Sequence, residues 1–418
     1  MPLPVPIVRG EGALLFDEAG NSYIDAVSSW WVTIHGHAHP YIAEKIYKQA
    51  LTLEQVIFSN FTHEPAVALA ERLLGILPGD LTKIFYSDNG STAVEVALKM
   101  AIQYWKNKGM PERNKILAFE HAYHGDTFGA MSVSGRGIFT EAFKDLLFEV
   151  VFIETPDDGN IEKIKSIIQS HSGQIAAFIY EPLLQAAGGM RIYEAGHMNE
   201  LLDFIHSKKI LCIADEVLTG FGRTGSLFAS EYLLFPPDFI CLSKGLTGGT
   251  MALGVTASSQ HIFDAFLSDD RSKTFFHGHS FTANPIACTA ALASLDLLEG
   301  KSCTGQIHSI RTHHEGFVEK ELSQSANDLF LNIRIIGTIL AFELNTRRHE
   351  YGNEVGAEIM QLGLSKGIYL RPLGNTVYMM PPYCISPGQL RKIYDFILSF
   401  PIILTHIGHR SEMKEVKA

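Results

Sequence analysis

Lys244 stands where a solvated charge is out of place. The stretch Asp238–Gly249 reads DFICLSKGLTGG: Phe239–Leu242 suit a buried strand, the lysine follows, and glycines come next at 245, 248 and 249. A lysine there either snorkels to the surface or loses its water, because charge is rarely buried without a partner. Desolvation lowers an amine's pKa, and the free amine is then a nucleophile able to form a Schiff base.

A second stretch favours the nucleophile. Ile210–Gly225 reads ILCIADEVLTGFGRTG, an apolar strand with Asp215 and Glu216 at its carboxyl end. Open α/β sheets gather ligands at the carboxyl ends of their strands. Pyridoxal phosphate chemistry needs two such groups: a lysine for the aldehyde carbon and a carboxylate that keeps the pyridine nitrogen protonated, so that the ring draws electrons from the substrate's α-carbon. Lys244 and Asp215, at the ends of successive strands, suit these two roles.

Other candidates are weaker. KIFYSDNGSTAVE, residues 83–95, predicts a strand, a turn and a helix opened by Thr92 with Glu95 in a capping box. Backbone N–H groups at that helix start and the Ser91 hydroxyl could cradle a phosphate, or simply cap a helix. Tyr123 in HAYHGDTFG could stack on a flat ring, whereas His124 reads more readily as structural. Two of the three tryptophans, Trp30 and Trp31, stand side by side in SSWWVTIHGHAHP. They cannot easily share one core face, so one is expected to line a cleft. His35, His37 and His39 alternate, but no Cys or carboxylate set completes a metal site. Residues 220–225, GFGRTG, match G-x-G-x-x-G, yet DEVLT separates them from the strand, so they read as a structural loop. Arg371, in the apolar run GIYLRP, is either a carboxylate clamp or an edge-strand arginine.

The elements that must position these residues follow a pattern. From about residue 80 to 260 strands alternate with helices, which predicts an α/β fold with a mostly parallel, helix-covered sheet. Helices are expected over Ile42–Leu53, Pro65–Leu77 and Ala287–Leu298. Beyond 300 come an amphipathic helix, strands within Ile333–Leu344, another helix, and GIYLRP with VYMMPP as a strand pair, so a smaller α+β domain is expected. The expected boundaries are 1–50 and 299–418 for the small domain and 51–298 for the large one. The 418 residues are 46% hydrophobic with a net charge of −11 and no Lys/Arg block, which argues for a compact protein that does not bind nucleic acid. Five scattered cysteines suit a reducing cytoplasm. MPLPVPIVRGEG lacks a basic segment followed by an apolar one, so no signal peptide is expected, and no apolar run approaches the ~18 residues of a membrane span. The segment Phe396–Ile407 reads as the end of a terminal helix.

Together, DEVLTGFGRTG and SKGLTGG resemble the class III, fold type I aminotransferases, over nearly the whole chain. Within that family SSWWVTIHGHAHP, YHGDTFGAMSV and KGLTGGTMALGVT resemble the branch that serves biotin synthesis. The resemblance implies pyridoxal 5'-phosphate as cofactor and a homodimer with shared active sites. It implies transamination of 8-amino-7-oxononanoate, with S-adenosylmethionine as donor. It gives Lys244 the Schiff base, Asp215 the pyridine nitrogen, Gly90 and Ser91 the phosphate, and Tyr123 the ring face. Gly278, His279 and Ser280 resemble the loop that reaches the neighbouring subunit's phosphate; Trp30 resembles a pocket wall and Arg371 the substrate's carboxylate clamp.

Two departures stand out. Bacterial enzymes of this kind usually carry proline and threonine where this chain has His279 and Ser280, and His279 recurs in relatives that use lysine as donor. They also carry an upstream W-H-P-Y/F-T segment; this sequence opens at Met1 just downstream of it, so either that segment lies outside the sequence or the site is closed another way. The alternatives are lysine as donor, another class III ω-aminotransferase, a nicotinamide dehydrogenase resting on GFGRTG, and an inactive cofactor-binding regulator.

Overall fold

The computed structural model describes residues 4–325, 328–345 and 354–401. The chain forms two compact units, one from 40–298 and one from 1–39 with 299–418.

The larger unit is built on seven strands: β1 (Leu81–Ser87), β2 (Lys115–Phe119), β3 (Val150–Ile153), β4 (Ile175–Tyr180), β5 (Leu211–Asp215), β6 (Phe239–Leu242) and β7 (Gly254–Ser259). Their order in the sheet is β1-β7-β6-β5-β4-β2-β3. Only β7 runs against its neighbours; β6, β5, β4, β2 and β3 pair in parallel. Strands covered on both faces need continuous apolar runs, and IAAFIY of β4 is buried at all six positions. Parallel neighbours need long crossovers, supplied here by helices Gly90–Asn107, Ile161–His171 and Ala195–Ser207. Helix Gly90–Asn107 lays small residues, Ala93, Ala97 and Ala101, on a core with Ile116, Ile179, Ile213 and Cys241.

Helix Pro40–Thr52 corrects the expected boundary. It packs Ile42 against Ala290 and Ala293 of helix Pro285–Leu298, so residues 40–50 go with the large unit rather than the small one.

The smaller unit has two sheets. Strands Ile7–Glu11, Leu14–Asp17 and Ser22–Asp25 form an antiparallel meander, joined in parallel by Ile368–Tyr369. The turn after Asp17 is fixed by its carboxylate, which accepts the Asn21 N–H at 2.8 Å. Strands Phe330–Ile336, Ile339–Leu344 and Thr376–Met379 form the second sheet. The expected pairing of GIYLRP with VYMMPP is therefore wrong: the two runs enter different sheets, with only a Leu373–Thr376 bridge at the turn between them. Helix Pro387–Leu398 opens with a capping box of Ser386 and Gln389. The part of Phe396–Ile407 beyond residue 401 lies outside the described residues.

Candidate active site

The carboxyl ends of β1, β2, β4, β5 and β6 deliver one group of polar residues. Asp215 ends β5, paired in register with Cys241 of β6. Its side chain is 5% exposed. His124, from the turn after β2, donates its Nδ1–H to Asp215 Oδ2 at 2.7 Å, and the Val217 N–H donates to Oδ1 at 3.1 Å. The carboxylate selects the Nδ1–H tautomer. The other ring nitrogen, Nε2, is buried without a hydrogen-bond partner among the described residues.

Lys244 lies two residues beyond β6, at the head of a single turn Lys244–Thr247. Its φ is +43°, in the left-handed region that non-glycine residues avoid at a cost on the order of 1–3 kcal/mol. The surrounding turn is pinned. Ser243 Oγ donates to the Leu253 carbonyl at 2.7 Å, and Thr247 Oγ1 donates to that of Met251 at 2.6 Å. Desolvation pulls the ammonium pKa down to about 8, with Arg223 pushing the same way while Asp215 and Glu181 oppose.

Glu181 follows β4. Its two oxygens accept the N–H groups of Tyr123 and Ala186, each at 3.0 Å. Burial pushes its carboxyl up to about 7; nearby Asp215 adds to this, and His124 works against it. Tyr123 is thus held by its backbone, with its ring edge-on to Phe139 at 6.3 Å. Its phenol is raised by burial and by Asp126. A cavity of about 180 Å³ opens beside it, lined by His121, Asp126, Arg136 and Phe139 among others.

After β1, the cap of helix Gly90–Asn107 is Asn89, not Thr92 as expected. Asn89 Oδ1 accepts the Thr92 N–H at 3.0 Å and Thr92 Oγ1 accepts the Asn89 N–H at 2.9 Å. Glu95 turns away to the Ala130 N–H at 3.0 Å. The first N–H groups of a helix have no partner within it, which leaves those of Gly90 and Ser91 at its positive end. A Cβ on Gly90 would meet Val217 Cγ1 at 2.7 Å, so only glycine fits this approach. Ser91 Oγ accepts the Asp126 N–H at 3.3 Å.

The loop at 277–280 gives His279 a place. Lys99 Nζ donates to His277 Nδ1 at 2.8 Å, the His277 and His279 Nε2 atoms are 2.9 Å apart, and His279 Nδ1 lies 3.3 Å from Asp88 Oδ2. Burial, with Lys99 and His279, lowers the His277 pKa, so its imidazole is neutral and the chain runs from ammonium to carboxylate. Gly278 and Ser280 are exposed.

In the smaller unit the two tryptophans do not share one core face. Trp31 is 4% exposed and donates its indole N–H to the Tyr378 hydroxyl at 2.8 Å; Trp30 is 56% exposed. The Arg371 guanidinium stacks on the Trp30 ring, 3.7 Å from its centroid. The three histidines are not gathered into a metal set: His37 pairs with Asp25 at 2.9 Å, and His35 meets His39 ring to ring. GFGRTG forms turns and opens no helix. Sequence reasoning missed Glu181 and Arg223, and it gave His124 only a structural part. Glu181 directly follows a fully buried strand, the one signal that could have marked it.

Comparison with known proteins adds an independent line. The profile of the family "Aminotransferase class-III" matches residues 1–400. The adenosylmethionine-8-amino-7-oxononanoate aminotransferase of Synechococcus elongatus is 47% identical over 403 residues, 94% of each chain. The crystal structure of the protein of that name from Methanocaldococcus jannaschii superposes with a TM-score of 0.91 at 34% identity, covering 95% of this chain and 93% of the other. An omega transaminase of Pseudomonas jessenii, solved in complex with PMP, superposes at 0.88 with 25% identity, covering 97% and 94%. With nearly every residue spanned by profile and relatives alike, the chain belongs to the class-III aminotransferase family.

Proposed function

We propose that this chain binds pyridoxal 5'-phosphate through Lys244 and transaminates 8-amino-7-oxononanoate to 7,8-diaminononanoate in biotin synthesis, with S-adenosylmethionine as amino donor. The observation that carries this reading is the pair at the ends of β5 and β6: a sealed Asp215 and a lysine whose amine titrates near 8. The residues suit the cofactor. Asp215 offers a buried carboxylate to the ring nitrogen, and the helix start at Gly90 and Ser91, packed closely on Val217 at Gly90, suits a phosphate. The names of the Synechococcus and Methanocaldococcus relatives support the substrates.

The cofactor, when bound, supplies an aldehyde that condenses with amines and a ring that accepts electron density. The chain's own groups do the rest. Asp215, oriented by His124, holds a proton on the ring nitrogen. The Lys244 amine, its pKa lowered to about 8, would take a proton from the donor's α-carbon as base and deliver it as acid to the carbon of the cofactor's aldehyde group. Tyr123 would cover the ring face. Asp126 faces the donor's sulfonium, which over an aromatic face gains on the order of 1 kcal/mol. Arg371 takes the acceptor's carboxylate and Trp30 flanks its apolar chain. We place Gly278, His279 and Ser280 at the second copy's phosphate in a homodimer; the exposed Ile57, Phe61, Phe276 and Phe281 support an interface. A cytoplasmic location fits the five free cysteines, and among the described residues no helix is long and apolar enough to cross a membrane.

The test is spectral and chemical. The purified protein, supplied with the cofactor, is expected to absorb visible light, to lose that band on adding S-adenosylmethionine, and to form the diamine once 8-amino-7-oxononanoate is added. Lys244→Ala should abolish the band; a band that persists in the variant overturns the role of Lys244. His279 favours lysine as a second donor reading, and single-turnover loss of the band with each donor separates the two.

A further inference from the structure

Asp25 is the most enclosed carboxylate among the described residues of the smaller unit, at 0% exposure. Three donors converge on it. The Val27 N–H reaches Oδ1 at 3.2 Å, and Ser29 Oγ and His37 Nε2 each reach Oδ2 at 2.9 Å. His37 is itself immobilised, exchanging backbone hydrogen bonds with Gly12 at 2.7 and 3.3 Å. The carboxylate therefore ties the start of the tryptophan segment to a fixed point.

That segment is strained. Ser28, Ser29 and Trp31 have φ of +50°, +61° and +70°, in a region that costs non-glycine residues on the order of 1–3 kcal/mol each. Such a run persists only where its surroundings over-determine it. Ser28 Oγ donates to the Met380 carbonyl at 2.7 Å, Trp31 is held by Tyr378, and Ser29 is held by Asp25. Trp30 alone is left outward, under the Arg371 guanidinium. The strand before Arg371 starts from the same point, because Tyr369 pairs in register with Asp25 and its carbonyl accepts the Ala26 N–H at 3.1 Å. Both arms of the stack diverge from one residue.

We infer that Asp25, with Ser29 and His37, is the positioning device for substrate selection: it holds the Trp30 indole beneath the Arg371 guanidinium, leaving the guanidinium N–H groups to take a carboxylate. This rests on the proposed acceptor. Arg371 has no carboxylate partner among the described residues, and stacking restricts a side chain that would otherwise lose much rotamer freedom on binding. Asp25, Ser29 and His37 act through Trp30; they are not catalytic residues.

The test uses two variants of the full chain, Ser29→Ala and Asp25→Asn. The first removes one hydroxyl; the second keeps the shape and one acceptor. Trp31 and Trp105 are 4% and 5% exposed, so acrylamide-quenchable tryptophan emission reports Trp30. In both variants quenching is expected to increase. The KM for 8-amino-7-oxononanoate is expected to rise about 10-fold with kcat changed less than about twofold, the signature of lost uniform binding. Unchanged quenching and KM overturn the inference. So does a kcat loss as large as the KM rise with unchanged quenching, which marks general damage. If the unaltered protein does not turn over the acceptor, the proposed function fails, and the quenching comparison still decides the positioning role.

Discussion

Glu181 gives the site a pH signature at the scale of a single residue. Its carboxyl is raised from 4.5 to about 7, so between those values the folded chain holds a proton that the unfolded chain has released. Folding is therefore favoured by Glu181 at low pH, and that contribution falls as pH rises through the window, by at most about 1.4 kcal/mol per pH unit. Glu181→Gln does not titrate; it is expected to gain stability relative to the parent from pH 4.5 to 7 and no further above, read as urea midpoints across pH. The same residue marks the limit of the sequence. Lys244 and Asp215 were legible because each closes an apolar run, a local pattern. Glu181 closes one too, but its burial and its two N–H donors come from Tyr123 and Ala186, and a strand end alone does not reveal them. His124 and Arg223 were hidden for the same reason, since their environments are assembled by strands far apart in the chain. That Trp30 and Trp31 do not share one core face was legible from their adjacency, since neighbouring side chains leave a short segment in different directions.

At the level of elements, the helix Gly90–Asn107 depends on its cap. Asn89→Ala removes one half of the reciprocal pair with Thr92 and is expected to cost about 1 kcal/mol in unfolding free energy, measured by denaturant titration. The same variant is expected to weaken retention of the cofactor, read as faster loss of visible absorbance on dialysis. The sequence located this helix but set its cap three residues late, because Thr92 and Glu95 satisfy the capping-box spacing equally well. The strand runs themselves were legible from hydrophobicity, and β5 and β6 lie where they were expected. Their partners were not always so. GIYLRP and VYMMPP look like a pair because they are close in sequence, yet each completes a different sheet; alternation identifies a strand, and tertiary packing chooses its neighbour.

At the scale of the whole molecule, the proposed homodimer makes a direct prediction. Phe276 is 76% exposed and Phe281 63%. Phe276→Asp is expected to shift the sedimenting mass from two chains toward one, and to lower activity at dilute concentration, where a parent dimer persists. The boundary at residue 40 was missed by about one helix, since helical periodicity over Ile42–Leu53 shows an apolar face but not which core receives it. The smaller unit has a further property that follows from its construction out of both chain ends. Strand Ser22–Asp25 waits for Ile368–Tyr369, so the first-made strands leave the ribosome hundreds of residues before their companion. Residues 40–298 are complete by then, and a nascent chain arrested near residue 340 should resist protease through that stretch while its first 39 residues are trimmed away. The order of synthesis thereby imposes an order of assembly: the half bearing the lysine matures first, and the half bearing the arginine closes the calendar.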